Sequence, residues 1–126
     1  MEGIIQPQYP FEVKRYVQYL ELPNDADAIR EYRRLHSKEG HWPEIVKGIR
    51  EVGILEMDLY IVGNHLVMIV VAPADFDWDK AMARLATLPR QAEWEDTVGK
   101  LQGCRPGATS DEKWQMMERY FHLYDE

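Results

Sequence analysis

Residues 54 to 72 constrain the fold more than any other stretch. Two β-rich runs, Ile54 to Val62 and His65 to Ala72, are separated only by Gly63-Asn64. Such a pair suits the tight two-residue turn of a β-hairpin, where at least one central position needs positive φ. The second run is apolar at both parities, with Val67, Ile69 and Val71 against Leu66, Met68 and Val70. Side chains alternate across a strand, so this one presents apolar groups to both faces of its sheet, and both faces need cover. The run from Phe11 to Leu22 repeats the pattern, with Val17 and Tyr19 against Tyr16, Leu20 and Leu22, until Pro23-Asn24-Asp25 breaks it.

The helical segments fall between these strands. Asn24 or Asp25 caps a helix whose Ala28, Ile29, Tyr32, Leu35 and His36 share a face up to Gly40, and Pro43 opens a second with Ile45, Val46, Ile49 and Val52 buried. After the hairpin, Asp75 or Asp77 caps a helix carrying Phe76, Ala81, Met82 and Leu85. Pro89 restarts helix with Trp94, Val98 and Leu101 on one stripe, and Gly103 to Ser110 reads as a loop. A final strand is expected between Lys113 and Leu123. Residues 1–10 hold Gly3, Pro7 and Pro10 without periodicity and read as a flexible lead-in to one domain over 11–126. The order β, helix pair, hairpin, helix pair, β is the split βαβ plan of an α+β ferredoxin-like sandwich. Its helices cover one sheet face, so the other is expected to meet a second copy, as a homodimer packed sheet to sheet.

Composition removes several classes of function. The chain of 126 residues carries a net charge of −7 and no basic cluster, so neither nucleic acid nor an anionic membrane surface is an expected partner. Its single cysteine, Cys104, permits no intrachain disulfide and no cysteine zinc site, and a reducing, cytoplasmic setting is expected. Ser37 and Ser110 lie outside any G-x-S-x-G elbow, and the glycines form neither G-x-G-x-x-G nor a P-loop. His36, His41, His65 and His122 show no H-E-x-x-H spacing, so no metal is expected. What remains is proton transfer without a cofactor, for which histidine is the suited side chain near neutral pH.

The runs EYRRLHSKEGHWPEI (Glu31 to Ile45), GILEMDLYIVGNHLVMIV (Gly53 to Val70), AEWED (Ala92 to Asp96) and WQMMERYFHL (Trp114 to Leu123) resemble the L-rhamnose mutarotase family across roughly residues 12–124. The most specific part is Tyr-x-x-x-His followed by Trp42-Pro43-Glu44. The resemblance implies a dimeric α/β barrel of ferredoxin-like subunits that interconverts the α and β anomers of a 6-deoxyhexose with no cofactor. It implies a catalytic role for His36 and a sugar contact for Tyr32. A second tyrosine of the rhamnose enzymes falls on Met57, and a Trp-Trp pair falls on Glu93-Trp94. These departures point away from rhamnose, and the MDLY, GN, LVMI and EWED pattern looks more like a subgroup proposed to act on L-fucose.

Each residue also has a plainer reading. A helical histidine is commonly a satisfied structural group, and Tyr32 on an apolar stripe is commonly core. Trp94 offers a ring against which a pyranose can stack, or simply packs with Val98 and Leu101. Trp42 before Pro43 reads as a staple of the helix start. Met57 is adaptable apolar lining. Asp58, alternating with Glu56 and Tyr60 on one strand face, is a candidate acceptor for sugar hydroxyls or a solvated surface group. A non-catalytic sugar sensor on the same fold is the rival function; binding alone needs no group that titrates near neutral pH. The carboxylates Glu93, Glu95 and Asp96 cluster on one helix and suggest no glycosidase pair.

Overall fold

The computed structural model describes residues 1–124; positions 125 and 126 of the expected domain lie outside the described residues. In chain order the elements are β1 (Val13–Glu21), α1 (Ala26–Leu35), α2 (Pro43–Glu51), β2 (Glu56–Val62), β3 (His65–Pro73), α3 (Trp78–Leu85), α4 (Gln91–Gln102), α5 (Ser110–Lys113) and β4 (Gln115–Met116). One antiparallel sheet runs β2-β3-β1-β4. This is the strand order of the split βαβ plan, with β1 and β3 side by side in the centre. The hairpin closes with Val62 opposite His65, and positive φ appears at Gly63 (59°) but not at Asn64, the pattern of a II′ turn.

Register sorts the two faces. Leu20 pairs with Leu66, Gln18 with Met68 and Tyr16 with Val70, while Met57, Leu59 and Ile61 of β2 align with Val70, Met68 and Leu66. This face packs against Tyr32, Leu35, Ile45, Trp94, Val98 and Trp114 in one core. Burying that many large side chains, each worth about 1.5–3 kcal/mol, holds the layers together. The opposite face carries Val17, Tyr19, Val67, Ile69 and Val71, which stay partly exposed, beside the exposed Tyr60.

Several boundaries depart from the sequence reading. Helix α1 stops at Leu35 rather than running to Gly40, with His36 as its C-cap. Ser37 Oγ donates to the Arg34 carbonyl and accepts from the Gly40 N–H, a local bonding pattern that competes with another helical turn. Gly40 itself lies so close to the Arg34 carbonyl that a Cβ would sit 2.1 Å from its oxygen. Phe76 precedes α3, which Asp77 caps through the Lys80 N–H. Pro89 lies in the turn before α4, whose N-cap is Arg90. The expected last strand is reduced to Gln115–Met116, since Lys113 belongs to α5 and only the Met117 N–H extends the pairing, to the Val17 carbonyl. Beyond it Tyr120, Phe121, Leu123 and Tyr124 are exposed. The lead-in has no regular structure, but its Tyr9 hydroxyl donates to Glu56 at 2.6 Å.

Candidate active site

A cleft of about 810 Å³ opens between the helices and the sheet, and His36, Tyr32, Trp94 and Met57 all line it. That volume lies within the range of small-molecule sites. Each side chain arrives there for a local reason. Tyr32 and His36 are four residues apart, so they share one side at the end of α1. Met57 sits on the helix-facing side of β2, opposite Val70, and Trp94 lies on the buried side of α4.

The imidazole of His36 is fixed by a backbone group. Its Nδ1 lies 2.7 Å from the Tyr32 carbonyl oxygen. A carbonyl only accepts, so Nδ1 carries the proton, and in the neutral ring Nε2 is the basic nitrogen. Among the described residues no group hydrogen-bonds Nε2. The ring rests between Tyr32, with centroids 4.5 Å apart, and Trp94, at 5.4 Å and 76° edge to face. Burial in this aromatic setting lowers the His36 pKa, only partly countered by the bond to Tyr32. Burial thus favours the neutral imidazole.

Tyr32 contributes two groups to the site. The main-chain carbonyl does the steering, while the phenol accepts from Gln102 Nε2 at 3.3 Å. Burial pushes the Tyr32 pKa up to about 12, so the hydroxyl stays protonated and keeps a proton to donate.

Asp58 lines the same cleft from the alternate side of β2. It aligns with Ile69 and Val17, so alternation projects its side chain from the sheet face away from His36. In β2 the alternation of Met57, Leu59 and Ile61 with Glu56, Asp58 and Tyr60 marks the apolar parity as the helix-facing one.

The structure adds residues that spacing did not single out. Glu95 lines the cleft and its Oε1 pairs with Lys113 Nζ at 2.9 Å, while Gln91 Nε2 donates to Oε2 at 2.6 Å. Lys113 also donates to the Glu95 carbonyl. Gln102 and Gln18 are buried, and the side-chain oxygen of each has no hydrogen-bond partner. A polar residue inside an apolar run, as Gln18 is between Val17 and Tyr19, was the available signal. Trp42 also lines the cleft, meeting Trp94 edge to face at 5.1 Å and 70°.

Residues 15–123 match the model of a family described as L-rhamnose mutarotase. An L-fucose mutarotase of Xanthomonas campestris pv. campestris is 34% identical over 111 residues, covering 88% of this chain and 89% of that protein. A UPF0734 protein of Dictyostelium discoideum is likewise 34% identical, over 116 residues, 89% of this chain and 91% of its own. The crystal structure of an L-rhamnose mutarotase from Formosa agariphila superposes with a TM-score of 0.64 at 18% identity, covering 87% of this chain and 98% of that one, a likeness of fold. By sequence match over nearly its whole length, this chain belongs to the L-rhamnose mutarotase family, whose members are isomerases that interconvert sugar anomers.

Proposed function

We propose that the cleft interconverts the α and β anomers of a 6-deoxyhexose, L-fucose in preference to L-rhamnose, with His36 moving the proton. The observation that carries this is the tautomer of His36: with Nδ1–H held by the Tyr32 carbonyl, Nε2 is left basic on a ring that lines the cleft. Nε2 takes the proton of the anomeric hydroxyl as the bond from C1 to the ring oxygen breaks. The ring oxygen gains a proton, and the sugar opens to the aldehyde. Both oxygens are attached to C1, so one imidazole reaches each in turn and returns the proton it took. Rotation about C1–C2 and closure by the reverse transfers give the other anomer. The Tyr32 hydroxyl donates to a sugar oxygen, Trp94 stacks against the ring, and Met57 packs against its apolar side.

The preference for L-fucose is supported by the curated relative of that name and by Met57 and Glu93, which depart from the rhamnose pattern. The partly exposed sheet face with Val17, Tyr19, Val67, Ile69 and Val71 supports a homodimer packed face to face, completing a dimeric α/β barrel. Residues 1–10 serve as a lead-in rather than as part of the domain.

Saturation-transfer NMR between the anomers of L-fucose and of L-rhamnose tests the reaction directly. His36→Asn should lower the exchange rate by about 10²-fold or more while sugar binding persists. Near-normal exchange in a folded His36→Asn protein would refute the assignment. A wild type that binds the sugar but never speeds its exchange would make the protein a sensor instead.

A further inference from the structure

We infer that Arg90 is a positioning residue for the sugar-binding wall, and that Trp42, which it holds in place, is a second stacking surface beside Trp94. The inference rests on the mutarotase reading of the cleft and extends it to two residues outside the acid–base group. Arg90 is the only non-glycine residue with positive φ among the described residues, at 64°, and it sits immediately before α4. A side chain in the left-handed region is sterically disfavoured, and glycine would occupy it without strain. The contacts of the guanidinium account for an arginine there. Its central carbon lies 4.1 Å from the centroid of the Trp42 ring. Nε and one terminal nitrogen fork onto the Glu93 carboxylate at 3.1 and 3.2 Å, and the other terminal nitrogen lies 3.5 Å from Glu44.

This clamp ties the start of α2, which carries Trp42 and Glu44, to the start of α4, which carries Glu93. A planar, delocalised cation can sit over an indole while its edges grip two carboxylates, which an ammonium cannot. From Arg90 the contacts run without a gap: Trp42 meets Trp94 edge to face, and Trp94 meets His36 the same way. Both indoles and the imidazole line the cleft. Trp42 is thus more than the expected staple of a helix start. It supplies a second aromatic surface for the C–H face or methyl group of a deoxy sugar, and its orientation depends on Arg90.

The test follows L-fucose exchange by saturation-transfer NMR in wild type, Arg90→Gly, Arg90→Lys and Trp42→Leu, with thermal melts in parallel. Glycine removes the clamp and relieves the φ strain. Arg90→Gly should therefore melt no lower than wild type, keep kcat within about twofold and raise KM about fivefold, the scale of a lost cation–π contact. Arg90→Lys should raise KM as well, because an ammonium cannot fork, and Trp42→Leu should raise it at least as much with kcat kept. An unchanged KM in Arg90→Gly, or a fall in kcat together with a lower melting temperature, overturns the inference. If wild type exchanges no anomers, the mutarotase reading fails by itself. The wall is then judged by tryptophan quenching on L-fucose binding: binding weakened about fivefold in Arg90→Gly supports it, and equal or absent binding overturns it.

Discussion

Replacing Lys113 by methionine should be among the most damaging single changes in this chain. Its ammonium is almost wholly removed from solvent, with 1% of the side chain exposed against 11% for Glu95, and it bonds both the carboxylate and the main-chain carbonyl of that residue. Methionine fits the volume but leaves the Glu95 carboxylate in a low-dielectric setting with only the Gln91 amide for company. Removing one partner of a buried pair costs about 3–5 kcal/mol, most of it the penalty of the stranded charge. An exposed ion pair such as Arg30–Asp27 would cost about 0–1 kcal/mol. For a domain of this size the loss should lower the melting temperature by at least about 10 °C. Urea unfolding followed by circular dichroism at pH 7 and fixed protein concentration measures it. Adding Glu95→Gln should recover most of the loss, because a neutral amide still accepts from Gln91 and leaves no charge behind. If Lys113→Met costs less than about 1 kcal/mol, or the double variant is no better than the single, the stranded-charge argument is wrong.

Acid should affect both activity and folding through His36. Burial holds its pKa below the ordinary 6.5, so the unfolded chain takes up the proton first as pH falls. The stability this group contributes is complete above about pH 6.5 and is lost as pH drops from there through the lowered folded value, and kcat/KM should fall along an acid limb with an apparent pKa below 6.5; a limb centred above 7 would implicate another group. Ile69→Asp, on the open sheet face, should yield a folded monomer at micromolar concentration in sedimentation, and an unaltered dimer, or a wild type that is itself monomeric, would remove the sheet-to-sheet packing. Deleting residues 1–8, which are exposed and without regular structure, should cost no more than about 0.5 kcal/mol in a denaturant melt, and a loss above 2 kcal/mol would show that they pack.

The parts of this fold legible in the sequence are those set by local chemistry. Gly63-Asn64 fixed the hairpin register, Asp25 and Asp77 cap the helices expected of them, and Pro43 opens α2. Apolar residues at both parities of β1 and β3 announced two faces in need of cover, and β2, with Met57, Leu59 and Ile61 against Glu56, Asp58 and Tyr60, showed which parity the helices take. Asp58 lies on the polar parity of β2, alternating with the helix-facing Met57 and Leu59, and lines the cleft from there. The end of α1 was missed because a serine hydroxyl and a glycine backbone settle it, through bonds confined to residues 34–40. The Glu95–Lys113 pair joins residues 18 apart through a four-residue helix, a contact no helical or strand period encodes. Of the candidate site, the shared side of Tyr32 and His36 was legible in their spacing, whereas the group that bonds the imidazole, a main-chain oxygen, has no signature in residue type.

The three consecutive residues Glu93, Trp94 and Glu95 show how the cleft keeps its geometry. At 3.6 residues per turn, neighbours on a helix project about 100° apart, so the two carboxylates flank the indole on either side of α4. One is gripped by Arg90 at the solvent edge and the other by Lys113 in the interior. The Arg90–Glu93 pair is local to the start of α4, but the same guanidinium reaches Glu44 and Trp42 at the start of α2. Lys113 of α5 holds the other flank, and together they oppose rotation of α4, the motion that would carry Trp94 away from the His36 ring. The two anchors differ in kind: the Arg90 pair is exposed and worth little to folding, while the Lys113 pair is buried and costly to break. Changes at Arg90 should therefore alter sugar affinity with little effect on stability, whereas changes at Lys113 should register first as instability. The outer anchor is therefore a place where sugar affinity can change while the His36 ring and its bond to the Tyr32 carbonyl stay untouched.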